Sequence, residues 1–117
     1  MIIKIKNKDT LIIDKFKLKC CVGKNGISKN KSEGDLTTPA GNFKIGNLYW
    51  RDDRVKKPKT KLFCKKIKKS MGWCNDNNSS YYNREVKINK TVRHEKLYRT
   101  DHKYDLFILI KYNYYKT

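Results

Sequence analysis

The stretch from Lys31 to Gly41, Lys-Ser-Glu-Gly-Asp-Leu-Thr-Thr-Pro-Ala-Gly, constrains the fold of this chain more than any other. Gly34, Pro39 and Gly41 fix turns, while Glu33, Asp35, Thr37 and Thr38 offer oxygens that bond to their own backbone. These residues predict an ordered loop between β-like runs. On its N-terminal side, Ile3 and Ile5 alternate with Lys4 and Lys6, Asn7-Lys8-Asp9 supplies turn residues, and Leu11-Ile12-Ile13 completes a hairpin. Phe16, Leu18, Cys20 and Val22 then alternate with Lys15, Lys17, Lys19 and Cys21. That period of two predicts a third strand with one buried and one wet face.

After the loop, residues 43–50 restore strand character before a charged bend at Arg51 to Arg54. The Lys-rich run from Val55 to Ser70, with Pro58 and the apolar island Leu62-Phe63-Cys64, reads as an exposed strand between solvated turns. Its lysines also suit a nucleic-acid footprint, and they blunt a sheet edge against aggregation. Asn75 to Asn83 is dense in Asn, Asp and Ser and reads as a loop. Leu106-Phe107-Ile108-Leu109-Ile110 is apolar on both faces, as expected of a central strand buried on each side. No amphipathic helix stands out beyond a possible turn around Thr91 to Tyr98. The expected fold class is mainly β, with long loops and little helix.

At 117 residues the chain makes at most one domain, and a domain of this size buries only part of the surface its unfolded chain exposes. The net charge of +18, from 29 Lys and Arg against 11 Asp and Glu, favours polyanions such as nucleic acid, anionic lipid or acidic glycan. Lys far outnumbers Arg, however, and bidentate phosphate or base recognition usually calls on Arg. A small basic nucleic-acid-binding module is the principal rival to the reading developed below. It predicts affinity that falls steeply with salt. No stretch is long and apolar enough to cross a bilayer, and Met1 to Lys6 interleaves its charges, unlike a secretory signal. The four cysteines form neither a disulfide framework nor a metal site: Cys20 and Cys21 are adjacent, and Cys64 and Cys74 stand apart.

Three groups could carry chemistry. His94-Glu95 and Asp101-His102 with Asp105 form a polar cluster suited to a proton shuttle or a divalent metal, or to orienting substrate and holding loops. The H-x-x-x-H and H-x-x-E-H spacings that place ligands on one helical face are absent, so no metal site is expected. Cys74 stands in a polar context, and a histidine nearby would make it a nucleophile. Asp76 opposes its thiolate, and a packed thiol is the simpler role. Trp50, Trp73, Tyr81 and Tyr82 suit base or sugar stacking, or core and rim packing.

Val22-Gly23-Lys24-Asn25-Gly26, the E-G-D-x-x-T-P-x-G loop from Glu33 to Gly41, and Phe43-Lys44-Ile45 together resemble the start of the L,D-transpeptidase (YkuD-like) catalytic domain. The resemblance continues in order through residues 48–54, Gly72-Trp73-Cys74-Asn75-Asp76, Tyr82-Asn83-Arg84 and residues 94–105. It implies a partial YkuD-like β-sandwich or sheet, and acyl transfer between peptide stems of bacterial peptidoglycan through a cysteine thioester, with no metal or organic cofactor. It also implies a substrate-binding wall that includes Glu33, Asp35, Thr38, Trp73, His94, Glu95, His102 and Asp105. The family's later histidine and Gly-Cys nucleophile have no matching position through Thr117. The expectation is therefore a single, C-terminally incomplete domain without transpeptidase activity of its own. A domain that keeps the fold and only binds wall peptide is the other alternative. The family implies the cell envelope or periplasm, whereas the N-terminus gives no export signal and leaves the cytoplasm open.

Overall fold

Period-two alternation and turn chemistry generate eleven short strands and, among the described residues, no helix. The computed structural model describes residues 2–89 and 91–112. Residues 113–117, on which the expected early stop falls, lie outside the described residues. The chain divides into two compact units, Met1–Asn42 and Phe43–Thr117.

In the first unit, β1 (Ile3–Asn7), β2 (Thr10–Ile13) and β3 (Phe16–Lys19) form an antiparallel meander. The Asn7 side chain accepts the Asp9 N–H at 3.1 Å and closes the first turn. Asp14 adopts a φ of 51° in the two-residue second turn, as hairpin geometry requires. Registers of Ile5 with Leu11 and Leu11 with Leu18 place the apolar residues on one face, as the alternation predicts. That face is not buried on β3, where Phe16 and Leu18 remain exposed. A single layer of four- and five-residue strands has too little surface to cover its own apolar side. Beyond it, β4 (Ile27–Ser28) and β5 (Thr38–Pro39) pair in parallel and clamp the base of the predicted loop.

The second unit has two three-stranded sheets. β6 (Ile45–Trp50) lies between β11 (Leu106–Ile110) and β7 (Cys64–Lys66), and β8 (Met71–Cys74) lies between β10 (His94–Lys96) and β9 (Glu85–Lys87). Tyr49, Ile67, Met71 and Leu97 form the core, with Trp73, Tyr98, Tyr104 and Phe107 packed against it. Trp73 meets the edge of Phe107 at 5.3 Å between ring centroids, which joins β8 to β11.

Three expectations need correction. Leu106–Ile110 is an outer strand, and the central position belongs to β6, whose Leu48, Tyr49 and Trp50 are all buried. Only Phe107 and Leu109 of β11 turn toward packed neighbours. The segment around Thr91 to Tyr98 contains strand β10, because Glu95 and Lys96 pair with Trp73 and Gly72. Cys74 ends strand β8 in the interior, outside the polar loop that follows it.

Ile67 and Leu97 are nearly inaccessible to solvent. Replacing either with Ala should destabilise the protein by about 2–5 kcal/mol through lost burial and a residual cavity. Phe16→Thr, at a position 67% exposed, should change stability by no more than about 0.5 kcal/mol. Urea unfolding of the three variants checks the contrast.

Candidate functional site

The loop of the first unit is organised by one carboxylate. Asp35 accepts the Ser32 N–H at 2.7 Å, the Thr37 N–H at 2.9 Å and the Thr37 hydroxyl at 2.7 Å, and it pairs with Lys31 at 3.0 Å. The Ser32 backbone bond, followed by those from Thr37 and Lys31, holds its pKa well below the usual carboxylate range. Thr38 accepts the Gly23 N–H at 2.7 Å and ties the loop to the preceding turn. A Cβ on Gly23 would lie 2.5 Å from the Leu36 carbonyl oxygen, so only glycine admits this approach. Glu33 is exposed and accepts the N–H of Gly34. Asp35 and Thr38 thus shape the loop, while Glu33 projects from it.

In the second unit, an apolar cavity of about 200 Å³ is lined by Trp73, Leu97, Tyr104 and Phe107, with Glu95 and Asn83 as its polar groups. Glu95 accepts the Tyr104 hydroxyl at 2.6 Å and pairs with Lys103 at 3.2 Å. Burial, and then the bond to Glu95, raises the Tyr104 phenol above its ordinary range, so it stays protonated and donates. The Trp73 indole N–H donates to Asn83 at 3.0 Å, which fixes the ring as a wall. Asn83 holds this position with a φ of 59°, a conformation asparagine tolerates.

His94 stands opposite Cys74 in the β10–β8 ladder. Its Nδ1 is 3.0 Å from the Val92 carbonyl oxygen, which selects the Nδ1-protonated tautomer and leaves Nε2 as the acceptor. The ring leans over Gly72, where an added Cβ would lie 2.9 Å from the imidazole Cδ2. Gly72 is therefore the seat of the histidine. Cys74 itself is 0% exposed, and its Sγ lies 3.9 Å from the Asp76 carbonyl oxygen. A thiol so enclosed cannot meet an external carbonyl.

His102 is exposed, with Nδ1 2.7 Å from Asp105. Asp105 also receives Arg54 at 2.9 Å, and Arg54, then His102, lowers its pKa. Trp73 and Glu95 thus stand opposite each other across adjacent strands, His94 lies on the other face of that sheet with Gly72 and Cys74, and His102 joins Asp105. Among the described residues no group of three His, Cys, Asp or Glu side chains is arranged to hold a metal ion. Among the same residues no helix is long and apolar enough to cross a membrane.

Sequence reasoning missed the clamp beneath this site. Arg51, read as part of a solvated bend, is only 3% exposed. Its guanidinium grips both oxygens of Asp53 at 2.8 Å and the Arg99 carbonyl at 2.7 Å, and it lies 3.6 Å from the centroid of the Tyr98 ring. Arg54 donates to the Thr100 and Asp101 carbonyls at 3.0 and 2.6 Å. An Arg two residues before an Asp is too common a pattern to announce such burial. The aromatics expected to choose between stacking and packing mostly pack: Trp50 is buried and Trp73 abuts the core, while Tyr81 remains exposed.

A family model described as YkuD, L,D-transpeptidase catalytic domain, matches residues 2–115. No curated protein and no solved structure matches the chain.

Two outcomes follow from this geometry. Arg54→Lys forfeits the fork that spans two carbonyls and Asp105, so amides from Thr100 to Asp105 should exchange faster while core amides are unchanged. Asp101 is lowered from 3.8 to about 2, first by the Arg99 side chain and then by the Lys103 N–H. A depressed folded-state pKa contributes stability that is present above the unfolded value and lost as pH falls through the folded one. Melting temperature should therefore fall between about pH 4 and pH 2, and Asp101→Asn should flatten that drop. Thermal melts across this window measure it.

Proposed function

Because the chain belongs to the L,D-transpeptidase catalytic domain family, we propose that it binds the stem peptides of bacterial peptidoglycan for L,D-transpeptidase-type acyl transfer, and that these 117 residues supply binding without acylation. The observation that carries this reading is the enclosed state of Cys74. It is the cysteine opposite a histidine in the ladder, and it has no solvent-accessible surface.

Thioester chemistry needs a thiolate within reach of the carbonyl between an L-centred and a D-centred residue, a group to manage protons, and donors aimed at the developing oxyanion. The thiolate expels the terminal D-amino acid, and an amine of a neighbouring stem then takes the acyl group. Neither Cys74 nor any other cysteine of this sequence stands in the family's Gly-Cys context. The side chains present suit binding instead. Glu95 and Lys103 place opposite charges at the rim of an apolar cavity, where they can meet the amines and carboxylates of a stem peptide. Trp73 offers the wall and the His102–Asp105 pair an exposed imidazole, while His94, on the other face of the sheet, offers an acceptor nitrogen apart from the cavity. In the first unit Glu33 is the contact, with Asp35 and Thr38 setting the loop that presents it. By family, the cell envelope is the place where such substrate exists.

Incubating the full chain with a carbapenem and measuring intact mass should give no adduct. The same chain should sediment with insoluble peptidoglycan, and Glu95→Ala should weaken retention by about tenfold, roughly one charge-assisted contact. Stoichiometric acylation, mapped to Cys74 or any other cysteine, would overturn the non-acylating reading. Retention that competing DNA abolishes would favour the nucleic-acid rival.

A further inference from the structure

Left-handed backbone geometry brings a Cβ close to a carbonyl oxygen, so such positions go to glycine, or to asparagine and aspartate, whose short polar side chains bond locally. Three non-glycine residues among the described ones have a positive φ: Asp14, Asn83 and Leu36. The first two are of the tolerant types. Leu36, with a φ of 60°, is not.

The loop holds Leu36 there from both sides. Its φ sets the Asp35 carbonyl against the Leu36 carbonyl, and Asn25 grips both of them. The Asn25 main-chain N–H donates to the Leu36 oxygen at 2.8 Å, and its side-chain amide donates to the Asp35 oxygen at 2.9 Å. The Asp35 carboxylate bridges the residue, accepting the Ser32 N–H before it and the Thr37 N–H and hydroxyl after it. Gly23 completes the seat, since only a residue without a Cβ lets the Leu36 oxygen approach so closely. A costly conformation persists where its surroundings over-determine it, and such positions cluster where ligands are held.

Packing does not account for a leucine here. Leu36 is 55% exposed, and Gly, Asn or Asp would take the same backbone at lower cost. Its neighbours in sequence from Lys31 to Asp35, and Thr37 after it, are polar or glycine. One apolar group therefore stands within a polar, tightly bonded run. A protein–protein interface needs a broad apolar core, whereas a single aliphatic group suits a single aliphatic group on a small ligand.

Resting on the wall-peptide reading above, we propose that the first unit's loop presents Leu36 as the apolar contact for an aliphatic side chain of a stem peptide. Asn25 and Asp35 act through Leu36, as positioning residues. Because its backbone is already fixed, the contact forms with little further loss of conformational entropy.

The test uses the full chain and insoluble peptidoglycan. Leu36→Asn suits the left-handed backbone and removes the apolar group, so retention should fall about fivefold, as expected when half of a leucine loses its burial. Leu36→Met, which restores an aliphatic side chain of similar reach, should stay within about twofold of the parent chain. The Asn25 and Thr37 amides should exchange no faster in Leu36→Asn than in the parent, which separates a lost contact from a loosened loop. On glycan strands stripped of their stems by an amidase, the three chains should behave alike. Four results would each overturn the role of Leu36: undiminished retention of Leu36→Asn, equal losses in the Asn and Met variants, faster exchange of those amides in Leu36→Asn, or the same loss on stem-free glycan. A parent chain that is retained and responds to Glu95→Ala, but not to Leu36→Asn, leaves the wall-peptide reading standing without this contact. A parent chain that is not retained at all removes both.

Discussion

Two guanidinium groups hold the segment from Arg99 to Asp105, which has no strand of its own. Arg51 takes the Arg99 carbonyl, and Arg54 takes the Thr100 and Asp101 carbonyls together with the Asp105 carboxylate. Both arginines come from the turn that ends β6, the central strand of its sheet, so the segment inherits the position of the best-buried strand. The arrangement is demanding. A buried guanidinium needs its donors satisfied, and Arg51 meets that need with Asp53, the Arg99 carbonyl and the face of Tyr98. Lysine, a point charge on a flexible stem, could not span these partners. Everything proposed for His102, Lys103, Tyr104 and Asp105 depends on this clamp.

Scarce carboxylates explain much of the remaining order. Against 29 basic residues the chain has 11 acidic ones, so each acid has many possible cations and its placement decides which loops become fixed. Asp35 organises the first unit's loop, Asp53 neutralises Arg51, Glu85 joins Lys65 to the Tyr49 hydroxyl, and Glu95 joins Lys103 to Tyr104. The lysine surplus then falls largely on exposed positions, among them the outer strands β1, β3 and β7.

Local chemistry was legible in the sequence. The hairpin around Asn7-Lys8-Asp9, the loop from Lys31 to Gly41, strand β6 and the Asn-rich loop after Cys74 all follow from turn residues and alternation, and the family could be read from the same blocks. Burial was less legible, because it depends on which strands become neighbours. Leu106–Ile110 has the composition of a central strand, yet pairing order puts β6 there. Phe16 and Leu18 alternate as a buried face should, but their sheet has a single layer. Arg51 is the converse case, a charge in an apparently solvated bend that the fold encloses. The candidate site was legible as residue types. Its geometry was not, since the seat of His94 rests on Gly72, a residue from a different strand.

The pairing of Cys74 with His94 shows why residue types alone do not make a reactive centre. A cysteine and a histidine directly opposite on antiparallel strands are close enough to interact, and the sequence placed both near polar groups. The fold then separates position from reactivity. Gly72 draws the imidazole along the strand, the Val92 carbonyl takes its Nδ1 proton, and Cys74 closes the inner end of β8 with no surface left for a substrate. A nucleophile must be both ionisable and reachable, and burial removes the second condition whatever the first. The same burial makes Cys74 a good packing residue, so its place in the Gly-Trp-Cys-Asn-Asp block reflects the construction of β8.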